Sequence, residues 1–248
     1  MKAATAELIL LCTLGVAPAA ATEDAGEPLR GRDDRILLDS TEPPYSAIGR
    51  LNLGSGKQFC SGTLIAPDKV LTAAHCLIDV RTKQPFRPDQ VHFVVGQRRD
   101  TFVDHASAKC LIPIKRAANN GPDLSNYTDD VAVIILKKPL NAIPSTRAAA
   151  RLADPGPLVH SAYSKSRPYL LSQHKNCKLL HRSNGVWLTD CDTEYGSSGG
   201  PVFTYNKDKP RLIAVMSGIT RARGEVFSLA VPVTIWASLV RTASCSEN

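Results

Sequence analysis

Gly196-Ser197-Ser198-Gly199-Gly200-Pro201 runs directly into Val202-Phe203. A serine between glycines on a tight turn presents its hydroxyl without crowding side chains, and the glycines allow backbone conformations that a Cβ forbids. In such a turn the N–H groups of Gly196 and Ser198 can converge on one oxygen, as an oxyanion hole requires. A Gly/Ser run alone also occurs in flexible loops. The stiff, apolar Pro-Val-Phe continuation reads instead as the start of a strand.

Two upstream segments supply what a nucleophilic serine needs. Val70-Leu71-Thr72-Ala73-Ala74-His75-Cys76 sets a histidine at the end of an apolar run, with small residues on its approach. A lone histidine there reads as a core residue, but Cys76 follows Cys60 across Ser61–Lys69, a strand-turn-strand pattern. A disulfide closing that hairpin would pin His75, and a loop of about 15 residues contributes roughly 3 kcal/mol. The second segment is Asp129-Asp130-Val131-Ala132-Val133-Ile134-Ile135-Leu136. Two carboxylates open an apolar run that reads as a buried strand. Asp130 abuts the strand and is the candidate for burial; Asp129 is the candidate turn residue.

The order along the chain is therefore His75, Asp130, Ser198. That order and the three contexts, LTAAHC at 71–76, DDVAVIIL at 129–136 and GSSGGP at 196–201, resemble the chymotrypsin-like serine peptidases from about Ile36 to Val240. Asp33-Asp34-Arg35, Tyr45-Ser46-Ala47-Ile48-Gly49, Ser61-Gly62-Thr63-Leu64-Ile65 and Asp190-Cys191-Asp192-Thr193 resemble the bacterial-type trypsin-like and glutamyl endopeptidase branch. The resemblance implies an all-β fold of two antiparallel six-stranded barrels with a C-terminal helix and the site in the cleft between them. It implies Ser198 as nucleophile, His75 as general base and acid, Asp130 as the carboxylate that fixes the imidazole tautomer, and the amides of Gly196 and Ser198 as the oxyanion hole. The implied function is that of a secreted serine endopeptidase working through an acyl-enzyme. The rival is a catalytically inactive member acting as a secreted binding module. An α/β-hydrolase would carry its acid and histidine after the serine.

The chain departs from the family at two places. Family zymogens are activated by a cut after a basic residue, and the new N-terminus pairs with an aspartate just before the nucleophile. That position is Ser197, which carries no charge. Arg35-Ile36 resembles an activation bond, yet Leu37-Leu38-Asp39 follows it. The expectation is that activity needs no free amino group at Ile36, that a Cys177–Cys191 bridge and Pro201 brace the serine turn, and that Arg35→Gln is tolerated. The second departure concerns specificity, with a pocket expected from Asp192, Thr193, Met216 and Gly218. An aspartate six residues before the serine selects Arg or Lys in trypsin-like members. Asp-Thr also occurs in glutamyl endopeptidases, but Met216 stands where their pocket histidine is expected. A structural Asp192 capping the disulfide turn is the remaining reading.

Composition agrees with an exported globular protein. Of 248 residues 43% are hydrophobic, and seven are cysteines. Lys2, the apolar Leu8–Val16 and Ala19-Ala20-Ala21 read as a signal peptide over 1–21, so Cys12 is removed with it. The remaining six cysteines form an even set. Cys177 and Cys191 flank a hairpin turning at Asn184-Gly185, and elimination pairs Cys110 with Cys245. No two cysteines have zinc-ligand spacing, so neither metal nor cofactor is expected. A net charge of +7 comes with no basic run or aromatic platform, which argues against nucleic acid. No later segment is apolar enough for a membrane anchor. The expected partners are protein or peptide substrates, the expected state a monomer, and the expected location extracellular or periplasmic.

Short apolar runs then set the organisation: a propeptide or flexible arm over 22–35, a first barrel over 36–145, and a second barrel with its helix over 146–248. Strands are expected at Ser46–Leu53, Phe59–Ile65, Lys69–Thr72, Val91–Val95 and Val131–Leu136, then an inter-barrel connection at Pro139–Arg151. The second set is Leu158–Tyr163, Cys177–His181, Gly185–Thr189, Pro201–Thr204, Arg211–Ser217 and Val226–Ala230. A helix is expected over Val233–Thr242, with Thr234 a cap candidate.

Overall fold

The computed structural model describes residues 32–114, 124–145, 154–207, 209–222 and 225–246. The signal-peptide reading, the 22–31 part of the arm and the 146–151 part of the inter-barrel connection lie outside these residues. Fourteen strands and one α-helix appear among the described residues: β1 (Ile36–Leu37), β2 (Ile48–Leu53), β3 (Gln58–Ala66), β4 (Lys69–Thr72), β5 (Val91–Val95), β6 (Asp104–Pro113), β7 (Ala132–Leu136), β8 (Leu158–Ser164), β9 (Arg167–Cys177), β10 (Leu179–Ser183), β11 (Val186–Thr189), β12 (Pro201–Asn206), β13 (Lys209–Ala222), β14 (Glu225–Pro232) and α1 (Val233–Thr242).

The first body is a closed barrel in the order β2-β3-β4-β7-β6-β5. Closure removes every free edge. Leu51, Leu53, Leu64, Val70, Phe93, Val95, Ile134 and Leu136 fill its interior. Strand β6 escapes a search for apolar runs because its inward residues are alanines. Ala106 pairs with Phe93 across the ladder, and the Phe93 ring lies against Gly49 and Gly62. The chain beyond Pro139 still runs along this barrel, with Leu140 N–H bonded to Pro67 O and Ser145 N–H to Leu64 O.

The second body departs from the expected closed six-stranded barrel. It is an eight-stranded antiparallel sheet in the order β1-β9-β8-β12-β13-β14-β11-β10. The two strands beyond the six expected are β1, just after the arm, and β9. Strand β9 escapes sequence reading because only Leu171, Ser172 and Gln173 are buried consecutively, amid polar and charged residues. Asn184 and Gly185 take φ values of 48° and 81°, the two positive angles of a type I′ turn. Trp236 of α1 is fully buried and donates its indole N–H to Val231 O at 3.0 Å. Truncating such a side chain to Ala costs about 3–5 kcal/mol. The helix begins at Val233 after Pro232, so Thr234 lies inside the first turn and does not cap it.

All three expected disulfides are present: Cys60–Cys76, Cys110–Cys245 and Cys177–Cys191. Ile36 and Leu37 pair with Gln173 and Ser172 of β9, and Arg35 just before them is buried.

Candidate active site

Register brings His75 to Asp130. Strands β4 and β7 are antiparallel, with Thr72 opposite Ala132, so the residues just past the end of β4 lie beside those just before β7. His75 sits in a short 3-10 turn, Ala74–Leu77, whose next residue is bonded through Cys76 to β3. Its Nδ1 lies 2.8 Å from Asp130 Oδ2, and its backbone N–H donates to Asp130 Oδ1, also at 2.8 Å. The carboxylate therefore fixes both ring and backbone. The Asp130 side chain is 12% exposed and that of His75 49%, so the ring is open to the cleft while its partner is sheltered. Burial disfavours the imidazolium, but the Asp130 charge and hydrogen bond outweigh it and raise the His75 pKa. Burial likewise pushes Asp130 up, and His75 with Ser217 more than offsets this, so its pKa is lowered.

Ser198 approaches from the second body. Its turn is pinned at each side: Gly199 N–H donates to Met216 O at 2.7 Å, Gly200 N–H to Ser197 O at 3.0 Å, and Ser61 N–H to Ser198 O at 2.8 Å. Gly196 has φ +92°, and a Cβ there would stand 2.3 Å from the Phe59 ring. Gly199 has φ +80°, and a Cβ would stand 2.1 Å from Thr72 Oγ1. The two glycines thus answer to backbone angle and close approach together. The amides of Gly196 and Ser198 donate to no acceptor among the described residues. The Ser198 hydroxyl donates to Ser217 O at 3.1 Å, and the Ser217 hydroxyl donates to Asp130 Oδ2. His75, Asp130 and Ser198 are brought to one cleft, with Ser217 linking serine to carboxylate in place of a direct Ser198–His75 bond. Ser217 was not singled out from sequence. A strand serine gives no signal of its own until the register sets it beside Asp130.

A cavity of about 150 Å³ opens beside Ser198, lined by Thr193, Glu194, Tyr195, Ser197, Met216, Gly218 and Ile219. Three of the four expected pocket residues are there; Asp192 is not. It is 2% exposed, its Oδ2 accepts the Asp34 N–H at 2.8 Å, and His174 Nδ1 lies 3.2 Å away. The disulfide at Cys191 and the arm turn it away from the cavity. The Thr193 hydroxyl is engaged with Ser228 Oγ at 2.6 Å. The Glu194 carboxylate is held by Ser166 and by Arg35 NH1 at 2.9 Å. Asp34, His174 and Asp192 each bring one potential metal-ligand atom within 4.8 Å of the others, but the bonds among them already use Asp192 Oδ2. Cys60 and Cys76 beside His75 are joined to each other and so are no ligands.

A family model described as Trypsin matches residues 39–168. The chain belongs to the trypsin family. Within the family, serine protease 23 of Rattus norvegicus is 28% identical over 202 residues, covering 71% of this chain and 51% of that protein. Trypsin of Squalus acanthias is 30% identical over 107 residues, 43% of this chain and 42% of the trypsin. The chain thus spans about half the length of the curated relatives it matches. A solved Glu endopeptidase in complex with MPD superposes with a TM-score of 0.72 at 17% identity, covering 86% of this chain and 98% of that one. At that identity the likeness carries the chymotrypsin-like fold alone. No helix among the described residues is long and apolar enough to cross a membrane.

Proposed function

We propose that this trypsin-family chain is a secreted serine endopeptidase. Ser198 attacks the scissile carbonyl, His75 takes the hydroxyl proton and returns it to the leaving amine, and Asp130 holds the imidazole and stabilises its cation. The oxyanion of the tetrahedral intermediate is bound by the two uncommitted amides of Gly196 and Ser198, and collapse gives an acyl-enzyme that water hydrolyses. The observation that carries this reading is the double grip of Asp130 on His75, at 2.8 Å on the ring and 2.8 Å on the backbone. In the resting site the Ser198 hydroxyl rests on Ser217 O. A bound substrate draws it toward His75 by rotation about one side-chain bond, and such bonds commonly tighten only in the complex.

The residue before the scissile bond is neutral. Thr193, Met216, Gly218 and Ile219 line the cavity, the Asp192 carboxylate is turned onto the arm, and the Glu194 carboxylate already has a cation. Among the described residues that line the cavity, a Lys or Arg side chain would meet no free counter-charge, and a Glu side chain no cation. The test is hydrolysis of internally quenched peptides with Val, Leu, Thr, Arg, Lys or Glu at that position, alongside Ser198→Ala. Cleavage of the neutral set, lost in the variant, is the expected result. Preferred cleavage after Arg or Lys would refute the pocket assignment. No hydrolysis, together with no labelling by a serine-reactive phosphonate, would favour the binding module, a reading that the Ser198–Ser217 bond supports.

A further inference from the structure

The Arg35 side chain is 4% exposed, although it comes from the arm ahead of β1. A buried guanidinium needs carboxylates and hydrogen-bond acceptors around it, and this one is enclosed by them. Nε donates to Asp33 Oδ1 at 2.8 Å and NH2 to Asp33 Oδ2 at 3.1 Å. NH1 donates to Ser164 Oγ at 3.1 Å and to Glu194 Oε1 at 2.9 Å. Arg167 completes the frame, donating to Arg35 O at 3.1 Å and to Asp33 Oδ2 at 2.9 Å. The two arginines and two acids balance in charge.

Glu194 connects this cluster to the serine turn. Its carbonyl accepts the Ser197 N–H at 3.0 Å, and its own N–H donates to Ser197 Oγ at 3.3 Å. Gly196, at φ +92°, and Ser198 follow directly. The cation therefore reaches the turn carrying the two uncommitted amides through a single residue. We infer that Arg35 is a positioning residue: its guanidinium, acting through Glu194, holds the Glu194–Ser198 turn in its working shape, and residues 33–35 are part of the active enzyme. The inference rests on the reading of Ser198 as nucleophile.

One consequence runs against the sequence expectation and a second agrees with it. The charged brace of the turn is Arg35, in addition to the Cys177–Cys191 bridge, so Arg35→Gln is not tolerated. The Arg35–Ile36 bond is not an activation bond in the folded chain, because a protease cutting after arginine must take that side chain into its own pocket and here the side chain is buried.

The test measures kcat and KM, thermal unfolding, and hydrogen exchange of the 195–199 amides in Arg35→Gln, Arg35→Lys and Glu194→Gln. Glu194→Gln leaves the Arg35–Asp33 pair intact and decides if Arg35→Gln does not fold. For folded Arg35→Gln and Glu194→Gln the expected result is a fall in kcat of roughly 10²-fold, the size of losing one oxyanion donor. KM changes by less than about 3-fold, the turn amides exchange faster, and Arg35→Lys recovers part of kcat. A folded variant of either kind with wild-type kcat overturns the inference. The N-terminus of the active wild-type protein, read by mass spectrometry, needs no variant: a start at or before Asp33 supports the clamp, and an active species starting at Ile36 overturns it. Phosphonate labelling of the wild type, absent in Ser198→Ala, checks the nucleophile separately, so failure of that reading is distinguishable from failure of the clamp.

Discussion

Removing the Cys110–Cys245 bridge should destabilise the protein far more than it disturbs the site. The bridge joins β6 of the barrel to the segment after α1 and closes a loop with a sequence separation of 135. Chain-entropy arithmetic for a loop of that size gives about 5 kcal/mol at 25 °C, against about 3 kcal/mol for a loop of about 15 residues. The Cys177–Cys191 bridge, with a separation of 14, is of the smaller kind. In a chain of this size each kcal/mol moves Tm by about 2–4 °C, so Cys110→Ser/Cys245→Ser should melt about 10–20 °C lower. His75 and Asp130 are fixed by β4, β7 and the Cys60–Cys76 bridge, so the variant should still label with phosphonate at 25 °C at close to the wild-type rate. The assay is calorimetry paired with labelling, with Cys177→Ser/Cys191→Ser as reference. A Tm loss under about 4 °C, or a smaller loss than in the reference variant, would refute the loop-length reasoning.

Four further outcomes are expected. Ser198→Ala should lose hydrolysis by at least about 10³-fold with Tm nearly unchanged, since the hydroxyl contributes one bond to Ser217 O; residual activity above a few per cent of wild type excludes Ser198 as nucleophile. The base must be neutral to act, and the His75 pKa is raised above its ordinary 6.5, so kcat/KM should fall with decreasing pH through a midpoint above 6.5. A midpoint below 6.5 contradicts the Asp130 pairing. The stability sign is opposite: the protonated His75 contributes fully below its unfolded value, and that contribution is lost as pH rises through the folded one. Asp192→Asn should loosen the arm without changing the preference for neutral over basic residues, and a tenfold swing in that ratio would return Asp192 to the pocket. Gly199→Ala should cost more than the roughly 1–2 kcal/mol of a left-handed non-glycine residue, because the added carbon meets Thr72 Oγ1 and the Ser61 carbonyl; an unchanged Tm would show that the turn can yield.

What the sequence made legible follows how locally each feature is encoded. His75, Asp130 and Ser198 are each announced by a few neighbours, and chain order arranges them. The strands with large aliphatic runs and the Asn184-Gly185 turn are local in the same sense. Strand β6 was not legible because its buried residues are Ala106 and Ala108, and β9 because its buried stretch carries Ser172 and Gln173. The roles of Arg35, Asp192 and Ser217 depend on partners 159, 158 and 87 positions away. Arg35 beside Ile36 reads as a cleavable basic site until Glu194 is seen against it, and Asp192 reads as a pocket base until the Asp34 amide is found on its carboxylate.

The long covalent loop bears on how the proposed peptidase would survive its own chemistry. A peptidase at high concentration meets other copies of itself, and peptide bonds of one copy become substrates of the next. A single cut anywhere between Cys110 and Cys245 releases no fragment, because the two ends stay joined by sulfur. The cut leaves a nicked two-chain species in which the barrel and the sheet remain one molecule, each half held at the other's effective concentration. Self-cleavage in that span should therefore appear as new bands only after reduction, while the unreduced protein keeps its size.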